Sequence, residues 1–293
     1  MFSNLALTSA QVKKAVEAVK KNRPLYTEML DVYGRIFVAQ EESRSRLRIE
    51  PIQISPEMLS IKAVEKFPLI EIRQFRFDEE ETARLFLTIC KALTGNDAKL
   101  AAASATLLNA VNKTVAPVTL CAALLGGDEA LFENMAIELE IDKQILGFIT
   151  LSSLAPSLSA CADHLSAYLN RDDPWLKGYC PICGSAPILS ILSDEGARSL
   201  VCGFCRHQWP VKRACCPFCS NLDSRKLRYF YSEEEEGLRV DLCDNCKKYV
   251  KTVDARKAGR LLYPPLEQVS TLHLDIKAEE MGFESGTRLF IEL

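Results

Sequence analysis

The sequence predicts an α+β protein: an all-helical N-terminal domain, two tandem four-cysteine β modules and a closing C-terminal helix. Three observations carry this prediction. Apolar residues recur at helical spacing through about the first 170 residues, and the period changes after the polar, proline-ended stretch at residues 170–174. Four Cys-x-x-Cys pairs, Cys180/Cys183, Cys202/Cys205, Cys216/Cys219 and Cys243/Cys246, then fall within 67 residues. The expected units are residues 1–172, 173–214, 215–263 and 264–293.

In chain order, Thr8-Ser9-Ala10-Gln11 forms a capping box before a helix with Val12, Val16 and Val19 on one face. After Pro24 the set Leu25, Met29, Val32 and Ile36 keeps the helical period, widened by Tyr26, Tyr33 and Phe37. Asp78-Glu79-Glu80-Glu81 gives an acidic first turn before Leu85, Phe86, Ile89 and Leu93, with Gly95 as the expected C-cap. Further helices are predicted at 97–113, 118–125, 128–139, 143–152 and 157–169. Their aliphatic and aromatic stripes read as core, and Cys90, Cys121 and Cys161 read as small buried hydrophobes within them. His164 has nothing nearby that completes a catalytic set.

Beyond residue 174 the pattern is that of short strands. Residues 186–192 and 197–201 flank Asp194-Glu195-Gly196 as a hairpin, and 226–231 with 238–242 flank the glutamate run at 233–236 and Gly237 in the same way. The region is thus an internal duplication, with Cys180-Pro181-Ile182-Cys183 echoed by Cys216-Pro217-Phe218-Cys219. Pro264-Pro265 then breaks the chain, and residues 266–283 suggest one closing helix.

The chemistry lies in the paired cysteines. A Cys-x-x-Cys knuckle aims two thiolates at one ion, and two knuckles complete a tetrahedral sulfur site. Eight ligands make two sites. The 18 residues between Cys183 and Cys202, and the 23 between Cys219 and Cys243, leave room for a hairpin in each, so sequential pairing is expected. Such small β units bury little surface, and the metal supplies the missing folding free energy. A thiolate cage of this kind accepts zinc or iron. Cys215 is expected to be a packed, inert thiol because a site with four sulfurs has no vacancy. His207, two residues beyond Cys205, is badly placed to replace a sulfur and is expected to line the metal's surroundings.

Composition narrows the function. Hydrophobic residues make up 48% of the chain and charged residues 26%, an ordinary globular balance. The first residues carry no basic or sufficiently apolar signal, so the chain reads as cytoplasmic, where structural disulfides are rare. The most apolar stretch, 145–158, is interrupted by Gly147, Thr150, Ser152, Ser153, Pro156 and Ser157, which argues against a membrane span. Residues 175–260 hold 15 Lys and Arg against 10 Asp and Glu, but eight thiolates around two divalent ions offset most of that excess. Nucleic-acid binding is therefore not expected.

These residues resemble the formate dehydrogenase accessory protein family, FdhE. The resemblance rests on Cys180-Pro-Ile-Cys-Gly-Ser, Cys202-Gly-Phe-Cys, Trp209-Pro-Val-Lys-Arg213, Cys216-Pro-Phe-Cys, and Cys243-Asp-Asn-Cys followed by Tyr249 and Lys251. It implies two rubredoxin-like or zinc-ribbon-like modules in a cytoplasmic maturation factor, not an enzyme. Its partner would be the catalytic subunit of respiratory, molybdenum-dependent formate dehydrogenase, and its metal, by family expectation, iron. Carried over by position, the metal residues are Cys180, Cys183, Cys202, Cys205, Cys216, Cys219, Cys243 and Cys246. The tail at 288–293 departs from the family's Asn-Pro-Phe ending. The competing readings are a zinc-ribbon nucleic-acid binder and a rubredoxin-like electron carrier; the large helical domain favours a protein client over both.

Overall fold

The computed structural model describes residues 7–95, 98–111, 113–170, 172–231 and 237–287. Helices come first: α1 (Ser9–Asn22), α2 (Thr27–Arg44), α3 (Pro56–Glu65), α4 (Glu79–Leu93), α5 (Ala98–Ala110), α6 (Pro117–Gly126), α7 (Glu129–Glu138) and α8 (Lys143–Ser166). The capping box at Thr8 forms: its hydroxyl accepts from Gln11 N at 3.3 Å while the Gln11 side chain accepts from Thr8 N at 2.8 Å. Asp78 caps α4 by accepting from Glu81 N. The predicted glutamate run at 233–236, positions 97 and 171, and the ends at 1–6 and 288–293 lie outside the described residues.

Several sequence expectations change. Leu25 is fully exposed in a short 3-10 turn opened by Pro24, and α2 begins only at Thr27, out of phase with it. Gly95 does not cap α4, which ends at Thr94 in the right-handed region with its hydroxyl donating to Lys91 O. No stripe announced α3, since none of its residues is buried.

The largest change concerns α8, expected as two helices and found as one that runs through Pro156. Proline removes the N–H that would bond the carbonyl of Ser152 and normally breaks a helix. Here Gln40 Nε2, buried on α2, donates to that carbonyl at 2.7 Å and takes the place of the missing bond. The polar residues that interrupted the apolar run also satisfy themselves, Thr150 to Leu146 O at 2.8 Å and Ser153 to Ile149 O at 2.7 Å. By length and hydropathy α8 matches a membrane span, but 72% of its apolar window is buried inside the protein. Its apolar surface is met by the other helices.

The sheet follows: β1 (Pro187–Leu192), β2 (Arg198–Cys202), β3 (Gln208–Val211), β4 (Leu227–Tyr231), β5 (Leu238–Cys243) and β6 (Lys248–Asp254). Both predicted hairpins form, β1 with β2 and β4 with β5, with Gly196 and Gly237 in the left-handed region at their turns. Each module is an antiparallel three-stranded unit, and β1 joins β6 in parallel to give the order β3-β2-β1-β6-β5-β4. The duplicated modules thus repeat across one sheet in the same sense. Pro210 lies in β3, an edge strand, where its missing N–H costs no ladder bond.

After the short α9 (Ala255–Ala258), the single closing helix expected at 266–283 is instead α10 (Pro264–Val269) and α11 (Leu272–Glu280), followed by β7 (Glu284–Ser285) beside β6. Pro264 and Pro265 open α10, where proline fits the first turn. The break falls at Ser270-Thr271, where the Thr271 backbone leaves the helical region at φ −127°, ψ 27°, and its Oγ1 donates to Glu267 O at 2.7 Å. Tyr263 and Leu266 pack with Val12, Val16, Val19, Leu30 and Phe37, so the chain's end clamps its beginning.

Candidate metal centres

Each knuckle is a tight turn with the same internal bonding. The N–H of Cys180, Cys202 and Cys216 donates to the carbonyl five residues on, Ser185, His207 and Asn221, at 3.0, 2.9 and 3.0 Å. In the fourth knuckle Cys243 and Lys248 are register partners across β5 and β6. The residue after each second cysteine takes a left-handed conformation: Gly184 at φ 77°, Arg206 at 61°, Ser220 at 57° and Lys247 at 58°. Only the first is a glycine, so the turn stores backbone strain at the other three positions.

These turns bring the eight cysteines into two groups in sequence order, Cys180, Cys183, Cys202 and Cys205 in one and Cys216, Cys219, Cys243 and Cys246 in the other. Within each group the sulfurs lie within 4.8 Å of one another. In the first, Cys180–Cys205, Cys183–Cys202 and Cys183–Cys205 are 3.6, 3.5 and 3.7 Å apart; in the second, Cys216–Cys246 and Cys219–Cys243 are both 3.7 Å apart. Four sulfurs about 2.3 Å from a central ion stand about 3.8 Å from each other in a tetrahedron. The donor sets therefore fit a four-coordinate ion with no protein position left open, and such cages take zinc or iron.

The electrostatics say the same. Hydrogen bonding with Cys180, Cys202 and Cys205 holds the Cys183 thiol far below its ordinary value, while burial drives Cys180 and Cys205 well above theirs. At Cys219 burial opposes ionisation, yet bonds from Asn245 and the Asn221 backbone, with those of neighbouring thiols, bring it down to about 7. Phe204 N and Cys205 N both donate to Cys202 Sγ at 3.4 Å, and Asn245 Nδ2 to Cys219 Sγ at 3.5 Å, so N–H dipoles already face the sulfurs.

The two centres differ in shelter. All four cysteines of the first are buried, whereas Cys219 and Cys246 of the second are partly exposed. The first belongs to the core shared with the helices, which includes Ile182, Leu200, Phe204 and Trp209. Leu69 N and Ile70 N donate to Pro181 O and Ile182 O, both at 2.9 Å, and the rings of Phe75 and Phe204 meet edge to face at 5.6 Å. Arg206 reaches from its knuckle into the helices, donating to Gln40 Oε1 at 2.9 Å, the same Gln40 that caps the carbonyl opened by Pro156. Nothing local in the sequence marks Arg206, Gln40 or this link.

The remaining candidates fall outside both groups. Cys215 is half-buried, with Sγ 3.4 Å from Cys216 O, and burial raises its thiol while Arg198 and Lys212 oppose that rise. His207 is buried, which pushes it down to about 4, and it serves the first centre through its main chain. Cys90 and Cys121 are fully buried among helices, their thiols pushed up to about 12 by burial, and Cys161 is likewise buried; none belongs to a sulfur group. Tyr249 and Lys251 hold α11 on the sheet: the tyrosine hydroxyl donates to Asp275 at 3.0 Å and the ammonium to the same carboxylate at 2.6 Å.

Comparison with known proteins bears on the first centre directly. Residues 179–213, which hold the first centre, match the central domain of FdhE. The chain is 37% identical over 159 residues to an FdhE homolog of Aquifex aeolicus, a match covering 53% of this chain and 55% of that protein. It is 31% identical over 111 residues to FdhE of Escherichia coli, covering 36% and 35%. The chain thus spans little more than half the length of the Aquifex relative and about a third of the Escherichia coli one. The crystal structure of the FdhE protein from Pseudomonas aeruginosa superposes with a TM-score of 0.66 over 98% of this chain and 97% of that one at 19% identity, a likeness of fold.

Proposed function

We propose that this chain, an FdhE-family protein by its central-domain match and its fold, is a maturation factor that binds the catalytic subunit of molybdenum-dependent formate dehydrogenase in the cytoplasm. In this reading Cys180, Cys183, Cys202 and Cys205 hold one metal ion and Cys216, Cys219, Cys243 and Cys246 the other. The protein carries out no reaction of its own. The ions, zinc or iron, neutralise the thiolates and fix the knuckles, and the knuckles fix the surface that the client meets.

The observation that carries this reading is the closed four-sulfur geometry of both centres within one continuous sheet. Structural sites of this kind supply folding free energy, whereas catalytic ones keep a position open. The test is complementation of a deletion strain. Cys216→Ser/Cys219→Ser should abolish assembly of active formate dehydrogenase and its co-purification with this chain. Full assembly from that variant, with metal shown to be absent from the second centre, would make the ion dispensable and overturn the structural role assigned to it.

A further inference from the structure

A cleft of about 580 Å³ opens where the helices face the sheet, with none of the eight paired cysteines in its lining. One wall comes from α2 and the start of α8, with Val32, Tyr33 and Phe148; the other comes from β6, α10 and α11, with Tyr249 and Leu272. Tyr33 and Phe148 pack edge to face at 5.9 Å, and Leu272 is 40% exposed. The size is that of a site for a drug-sized ligand or a few residues of chain.

The charges along it are unequal. Asp142, Asp275 and Glu279 stand against Lys251 alone, and that ammonium is taken up by Asp275 and by Gln268 O at 2.9 Å. Asp142 is already engaged as the N-cap of α8, accepting from Gln144 N at 2.8 Å, so Glu279 remains as the acidic group flanking an apolar channel. Gln268, in the same lining, has its Oε1 buried without a donor among the described residues. A backbone N–H of a bound extended segment would satisfy it.

We infer that this cleft receives an extended segment of the client polypeptide in which a large apolar side chain is followed by lysine or arginine. The inference rests on the maturation reading and adds to it the place and the chemistry of recognition. The apolar side chain would lie between Phe148 and Leu272, and the cation would meet Glu279, a pairing that steers association and fixes direction along the channel.

The test uses the full chain with both metals bound, and the immature catalytic subunit as the probe. Glu279→Lys and Leu272→Ser alter exposed positions and should leave fold and metal content unchanged. Capture of the subunit should weaken about tenfold for Glu279→Lys through charge reversal, and several-fold for Leu272→Ser through lost apolar contact. A photoreactive phenylalanine analogue in place of Leu272 should cross-link to a client peptide that carries the apolar-basic pair. Wild-type capture by both variants, or a cross-link to a second copy of this chain or to a client peptide with no basic residue, overturns the cleft assignment alone. Failure of the unaltered chain to capture the subunit overturns the maturation reading, and this inference falls with it.

Discussion

At the scale of single residues, the knuckles set the strongest constraints. Ser220 holds a left-handed φ of 57° that costs an L-residue about 1–2 kcal/mol, part of which glycine avoids. Ser220→Gly should stabilise the second module by about 0.5–1 kcal/mol, read as a higher unfolding midpoint at saturating metal. Gly178 illustrates the opposite case. A Cβ built there would lie 1.6 Å from the carbonyl oxygen of Pro217, where the approach to the first knuckle meets the third. Gly178→Ala must push backbone against backbone, and a loss of about 1–3 kcal/mol is expected in urea unfolding. The cysteines and the Thr8 cap were legible in the sequence because each acts through its near neighbours. The left-handed roles of Arg206, Ser220 and Lys247 were not, since only glycine advertises that conformation.

At the scale of elements, α8 is the instructive one. Pro156 reads as a helix break because sequence reasoning counts the bond it removes, while the replacement comes from Gln40, 116 positions earlier in the chain. Gln40→Glu separates the two functions of that side chain. The carboxylate still accepts from Arg206 but no longer donates to Ser152 O, leaving a buried carbonyl without a partner. A loss of about 1–3 kcal/mol is expected, with faster amide exchange around residues 152–156 by mass spectrometry. An unchanged exchange pattern there would mean that α8 passes Pro156 without this support. The C-terminal segment shows the same limit: its apolar positions were visible as one helix, but the backbone leaves the helical conformation at Thr271 and divides it.

At the scale of the whole molecule, unequal burial of the two centres predicts the order in which they lose metal. Cys219 and Cys246 are partly exposed while all four sulfurs of the first centre are buried, so a colorimetric chelator should remove one ion quickly and the second slowly. Equal rates would show that shelter does not govern release. Loss from the first centre should also be felt in the helices. Leu69 and Ile70 donate to the carbonyls of Pro181 and Ile182 inside its first knuckle, and Arg206 bridges to Gln40. Amide exchange should therefore rise at residues 69–75 and in α8 only with departure of the second, slow ion.

What the sequence by itself determined is everything that repeats at short range: the helical period of the first half, the hairpins around Gly196 and Gly237, and two sulfur sets from knuckles only 18 and 23 residues apart. Their spacing is a local geometric fact, and a hairpin closes it with little loop entropy. The tertiary structure alone decided how these pieces join: β1 beside β6 in one sheet, the first centre inside the helical core, and the cleft facing α11. Those contacts link residues far apart in the chain. Their partners are chosen by the burial of surfaces that no window of sequence contains together.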